Sequence, residues 1–200
     1  MKLVLYTMMA SVALGYLIGG NPRHLLARTM RWPGLAVLGL AMQVAPLPGG
    51  HQELAVPVLL LSFVPLCVFV VANIRIPGFA LLLVGLALNF TVISVNHGMP
   101  VSVHALEASG QQQTLHELLT QGGAKHHLMG PDDRLVRLAD VIPVQPVRQV
   151  VSAGDIVSYA GVAWVIVAGM RPLARRRRVG HLRGALAARA TRFPNRETIT

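Results

Sequence analysis

Five apolar stretches occupy much of the chain, and nothing else constrains its fold as strongly: residues 3–20, 33–47, 54–72, 76–95 and 151–170. A helix of about 20 apolar residues crosses the roughly 30 Å hydrocarbon layer, and fewer suffice where the bilayer thins or flanking groups snorkel. In lipid, a lone segment satisfies its own backbone N–H and C=O groups only as a helix. The expected fold is therefore all-α: a polytopic membrane helix bundle with about five transmembrane helices. Charged residues make up only 13% of the chain, against about 25% in soluble domains, which argues for the same class.

The first stretch follows Met1-Lys2 like a signal peptide, but no small-x-small cleavage site closes it and basic residues follow directly, so a retained helix is expected. Its Gly15 and Gly19 form a GxxxG pair suited to helix packing within the chain. Basic residues tend to stay on the cytoplasmic side. With the N-terminus outside and the C-terminus inside, the inner segments 21–32, 73–75 and 171–200 hold 13 of the 18 basic residues and one acid, Glu197. The outer segments then hold five basic residues and seven acids. The expected organisation is a membrane domain over 1–172 and a basic cytoplasmic tail over 173–200. In that tail Arg175, Arg176, Arg177 and Arg178 lie on anionic lipid, each contributing about 1 kcal/mol. No aromatic residues alternate with these arginines, so membrane lipids are the expected partner of this charge, not nucleic acid.

Residues 96–150 form the one long hydrophilic connection, and a loop of that length is usually functional or disordered. Within it, Ser102 to Gln121 has leucines near helical spacing, interrupted by Gly110, and reads as a short amphipathic helix. Three polar groups are candidate sites. Asn89 and Asn96 share a face of the fourth stretch, with His97 and Gly98 following; an asparagine in a membrane helix needs a partner, either a neighbouring helix or a ligand. Six histidines fall outside, at 51, 97, 104, 116, 126 and 127, without the spacing of a zinc motif, so no metal site is expected. Asp140 and Asp155 flank the entry to the last stretch. If their carboxyls meet, one shared proton makes an acid and a base able to activate water. Alternatively, Ser152 or Asp155 caps the last helix.

Several of these residues also carry a resemblance. Asn89 to Val95 running into Asn96-His97-Gly98-Met99-Pro100-Val101, then Asp140-Val141-Ile142-Pro143, then Val151-Ser152-Ala153-Gly154-Asp155, resemble a bacterial family of multi-pass membrane proteins, the domain of unknown function fifty-three seventeen. The resemblance runs over about 1–172, and it implies a membrane protein with no assigned activity. A shorter likeness, the Asn-x-Gly at Asn96 and Gly98 with Asp140 and Asp155 before the last helix, is similar to lipoprotein signal peptidase. It implies an aspartyl dyad. The chain departs from that family in having five candidate spans for four, no span between Asn96 and Asp140, and Ser152-Ala153 where an asparagine is expected.

No phosphate loop, dinucleotide fingerprint or haem motif is present, and no cofactor is expected. The leading expectation is a non-enzymatic integral protein of the bacterial cytoplasmic membrane, whose outer segment binds a protein partner, a lipid or a small ligand. The competing expectations are an intramembrane aspartyl hydrolase using Asp140 and Asp155 and, less directly, a small transporter.

Overall fold

The computed structural model describes residues 2–44 and 52–172. Eight helices lie among them: α1 (Lys2–Leu17), α2 (Pro22–Leu26), α3 (Pro33–Val44), α4 (Ala55–Ala72), α5 (Phe79–Asn96), α6 (Val103–Ala108), α7 (Gln112–Gln121) and α8 (Ala153–Gly169). The protein is mostly helical. Two helical segments, Gln52–Ala72 and Phe79–Asn96, are long and apolar enough to cross a membrane; α1, α3 and α8 are shorter apolar helices.

The shortening has local causes. Gly19 takes a left-handed turn (φ +80°) after α1. Residues 151–152 are spent on a strand and a cap ahead of α8. The last residues of the second stretch, 45–47, lie outside the described residues, as do His51 and the tail with Arg175 to Arg178.

The long apolar helices stand in one row, α3–α4–α5–α8–α1, with neighbours packed side by side. Their ends alternate. The backbone N–H of Leu3 bonds to Gln149 and the Lys125 ammonium bonds to the Gln43 carbonyl, so the start of α1 and the end of α3 meet the 96–150 segment. At the opposite end, α2 closes the C-terminus of α8. The Asn21 N–H and the Arg28 guanidinium donate to the Met170 and Ala168 carbonyls, where a cation suits the helix dipole.

The tightest seam joins α5 and α8, which run antiparallel, with Gly78 facing Gly161 and Gly85 facing Gly154. A Cβ added to Gly78 would lie 2.5 Å from the Gly161 carbonyl oxygen, and one on Gly85 would lie 2.6 Å from that of Gly154. Small residues of this kind let helix backbones approach closely. By contrast, Gly15 of the first stretch does pack within the chain, against Met170, whereas Gly19 meets nothing within 4 Å and serves the turn.

The 96–150 segment corrects the purely helical expectation, since it contains four short strands. β1 (Met99–Val101) pairs in parallel with β2 (His126–Leu128), and β3 (Ile142–Val144) pairs antiparallel with β4 (Gln149–Val151). Prolines 100 and 143 and β-branched neighbours favour extended backbone over helix here. The expected amphipathic helix is broken at Gly110 (φ +75°) into α6 and α7. Its apolar side is covered by protein: Leu106 and Leu115 pack with Val101, and Leu118, Leu128 and Val150 close the cluster.

Candidate functional site

Asn89 lies on α5 one turn or so beyond Gly85, and Ser152 and Asp155 begin α8. The three side chains close a ring of hydrogen bonds across the seam. The Ser152 hydroxyl donates to Asn89 Oδ1 at 2.9 Å, and Asn89 Nδ2 donates to Asp155 Oδ1 at 2.8 Å. The Asp155 N–H donates to Ser152 Oγ at 3.0 Å, while the Ser152 N–H reaches Asp155 Oδ2 at 3.3 Å. The last two bonds form a capping box, which satisfies helix-end donors and places a carboxylate where the dipole favours it. Gly154 leaves room for the ring, since a Cβ there would sit 2.1 Å from Asn89 Oδ1. Asn89 thus pairs with a neighbouring helix, and both Asp155 oxygens are engaged.

Asp140 is treated differently. Its backbone is pinned beside β1: its N–H donates to the Pro100 carbonyl at 3.1 Å, and its carbonyl accepts from the Ser102 N–H at 3.0 Å. The residue is 8% exposed, and Oδ1 is buried with no hydrogen-bond partner. The half-exposed His126 ring has its Nε2 3.9 Å from Asp140 Oδ2, too far for a hydrogen bond. Desolvation holds that ring below its ordinary pKa, so it brings no positive charge to Asp140 at neutral pH. Burial and, after it, the negative charge of Asp155 push the Asp140 carboxyl up to about 8, so it holds its proton at neutral pH.

Two clefts meet at Asp140 and His126. One, of about 250 Å³, lies under the outer segment and is lined also by Gln43, Phe63, Asn89, Lys125 and Asp155. The other, of about 270 Å³, lies within the outer segment, between α6, α7 and β4, and is lined also by Gln111, Thr114 and Gln149. Asp140, Asp155 and Asn89 therefore face one space. A neutral carboxylic acid there offers both a donor and an acceptor, complementary to an amide, a carboxylic acid or an alcohol.

The remaining candidates lie apart from this space. Asn96 clamps a loop, accepting from the Arg134 N–H at 2.8 Å and donating to the Arg134 carbonyl at 2.9 Å. His97 is an exposed left-handed residue at the end of α5. Gly98 (φ +151°) passes the His127 ring, where a Cβ would lie 3.0 Å from Nδ1. His127 Nε2 is 2.9 Å from Asp133 Oδ1. His104 and His116 are exposed, and among the described residues no three His, Cys, Asp or Glu side chains converge as metal ligands would. Lys125, Gln43 and His126 went unrecognised as cleft residues from sequence, because long-range folding alone brings them to Asp140.

These features define a class: a helical protein with two helices able to cross a membrane, capped by a small mixed segment over a buried acid. The chain belongs to the family of unknown function DUF5317, whose model matches residues 29–167. The match therefore begins after α2, later than the resemblance over 1–172 suggested, and it contains Asn89, Asp140 and Asp155. A curated relative, an uncharacterized protein of Thermotoga maritima, is 33% identical over 150 residues, covering 73% of this chain and 80% of the relative. No solved structure matches the chain.

Proposed function

We propose that the chain is a multi-pass protein of the bacterial cytoplasmic membrane whose outer segment closes over a binding site for a small polar ligand. Membrane insertion is supported by exposed apolar surface. Only 39% and 22% of the most apolar windows of the two long helices are buried, whereas a soluble protein buries most of a core helix. The outer faces of α1 and α3 also show Leu5, Met9, Val37 and Leu40 at more than half exposure. In this reading α1, α3, α4, α5 and α8 all cross, residues 1–172 are the membrane domain, and the basic tail 173–200 lies on the cytoplasmic surface. The short α3, about 18 Å by its 12 residues, crosses where the bilayer thins. Cysteine substitution at Asp132 and at Pro172, in a Cys67→Ser background, tests the orientation. An impermeant maleimide added to intact cells labels the first and spares the second; the reverse pattern refutes it.

The single observation carrying the ligand reading is the buried Asp140 with an unbonded oxygen where two clefts meet. A buried polar atom without a partner costs roughly 1–3 kcal/mol, a cost that a bound donor removes. A cleft of about 250 Å³ suits a compact molecule better than a folded partner. The test is a thermal-shift screen of the detergent-purified chain against small amides, carboxylic acids and alcohols. Stabilisation of the parent chain that Asp140→Asn abolishes supports the reading. No stabilisation by any of them, or an equal shift in the variant, refutes it.

One observation favours a second reading, hydrolysis by an aspartyl pair: Asp140 and Asp155 line the same cleft, the first holding a proton at neutral pH. Asp140 would act as acid and Asp155 as base toward a water between them. Cleavage of a membrane-inserted peptide, lost in both Asp140→Asn and Asp155→Asn, supports it. Retained cleavage in either variant refutes it.

A further inference from the structure

The end of the bundle opposite Asp140 is made by α2, the start of α3, the turn between α4 and α5, and the end of α8. Its described residues include Arg23, Arg28, Arg31, Arg75 and Arg171 and no acid. The residues around Arg31 are built, not loose. Buried Asn73, at the end of α4, accepts from the Arg31 N–H at 2.8 Å and donates to the Arg31 carbonyl at 2.9 Å. The next residue, Trp32, holds φ +51°, a left-handed conformation that is costly for a bulky side chain. This clamp fixes where the Arg31 and Trp32 side chains depart from the backbone.

Two adjoining clefts share Arg31. One, of about 490 Å³, lies between Thr29–Arg31 and the α4–α5 turn and is lined by Arg75 as well. The other, of about 750 Å³, is an apolar groove running from Arg31 and Trp32 along Val68 and Val71 on the outward face of α4. Among the described residues neither the Arg31 nor the Arg75 guanidinium is engaged by a carboxylate. A cationic head end thus continues into an apolar groove, with a tryptophan at the junction, where membrane–water interfaces favour indole rings.

We propose that this pair of clefts is a site for an anionic phospholipid, its phosphate held by Arg31 and Arg75 and one acyl chain laid along Val68 and Val71 of α4. The proposal rests on the reading of the chain as a membrane protein. A phosphate matches the fork of a guanidinium, and the groove supplies what a free phosphate would not use. Asn73 and the left-handed backbone at Trp32 set the direction in which Arg31 departs, and Asn73 also lines the head cleft.

The test uses the full chain carrying Trp164→Phe, which leaves Trp32 as the only tryptophan. It is reconstituted into phosphatidylcholine vesicles containing a small fraction of lipid with brominated acyl chains, as either phosphatidylglycerol or phosphatidylcholine. The expected result is quenching of Trp32 by brominated phosphatidylglycerol at a mole fraction on the order of tenfold lower than by brominated phosphatidylcholine. The preference is lost in R31Q/R75Q, returns in R31K/R75K, and survives R23Q/R171Q, which removes the same charge from the same end. Equal quenching by both lipids in the parent chain overturns the proposal, as does a preference that survives R31Q/R75Q or falls equally in R23Q/R171Q. If neither lipid quenches and the chain fails to float with the vesicles, the membrane reading itself falls and takes the lipid site with it. Flotation without selective quenching overturns the lipid site alone.

Discussion

Replacing Asp140 with asparagine removes a buried acid that the fold holds protonated, and the effect on stability has a definite sign. In the native chain its carboxyl titrates at about 8, against an ordinary value of 3.8. Between these limits the folded state keeps a proton that the unfolded state has released, so stability falls as pH rises. At about 1.4 kcal/mol per pH unit, the ceiling over the interval is about 6 kcal/mol, and entry of water into the adjoining clefts lowers it. A change of a few kcal/mol moves the melting temperature of a chain this size by on the order of 10 °C. Melting is followed in detergent from pH 4.5 to 8.5 for the parent chain and for Asp140→Asn. Every other side chain is common to both, so the difference between the curves isolates Asp140 and its coupling to its neighbours. The parent should lose stability relative to the variant as pH rises, with most of the gap opened by pH 8. Curves that stay parallel across the range refute an Asp140 held neutral by its surroundings.

Other perturbations follow from the seam and its ring of hydrogen bonds. Gly154→Ala drives a Cβ to 2.1 Å from Asn89 Oδ1 and 2.8 Å from the Gly85 carbonyl, so a loss of about 3 kcal/mol is expected, while Gly34→Ala in α3, with nothing within 4 Å, should hold or raise the melt, by at most about 1 kcal/mol. Equal melts for the two variants would contradict the close α5–α8 approach. Asn89→Leu strands the Ser152 hydroxyl and one Asp155 oxygen, with an expected cost on the order of 3 kcal/mol; a neutral outcome would mean that the ring contributes nothing. In Asp155→Asn, loss of the neighbouring negative charge lowers the Asp140 titration without restoring an ordinary value, because burial is the larger cause. The protonated carboxyl band in the infrared, followed against pH, checks this, and an unmoved band would show that the two carboxyls do not interact.

The helical row was legible because each apolar stretch is too long for a strand and satisfies its own backbone groups as a helix, whatever its partners. Element ends were less legible. Val151 continues the apolar run of α8 in hydropathy yet belongs to β4, a distinction made by pairing with residues 142–144, whereas the cap at Ser152 was among the readings its side chain offered. The strands escaped notice because each is three residues long, too short for a period to show, and β1 takes its partner β2 from well along the chain. The α5–α8 seam left a trace that was not read: Gly78 and Gly85, and Gly154 and Gly161, each recur at seven residues, placing them on one helix face. The Gly15–Gly19 pair was the weaker signal, for only Gly15 lies within a helix.

Asp140 and Asp155 look alike in sequence, two acids near the mouth of one helix, and the structure separates them by what surrounds each oxygen. Asp155 sits at the third position of α8, where the capping box and Asn89 occupy both oxygens. Freeing Oδ1 costs the bond to Asn89 that joins two helices, and freeing Oδ2 costs half of the capping box of α8. Asp140 has a pinned backbone, an unbonded oxygen and a cleft on either side. Of the two, only Asp140 has an oxygen open to a ligand, and Asp155 raises its proton affinity through charge. A ligand donor reaching Asp140 Oδ1 would satisfy the buried oxygen, whereas one reaching Asp155 would have to compete with Asn89. That asymmetry favours binding over a symmetric dyad, and it makes Asp140→Asn the variant that distinguishes the two readings from a structural role.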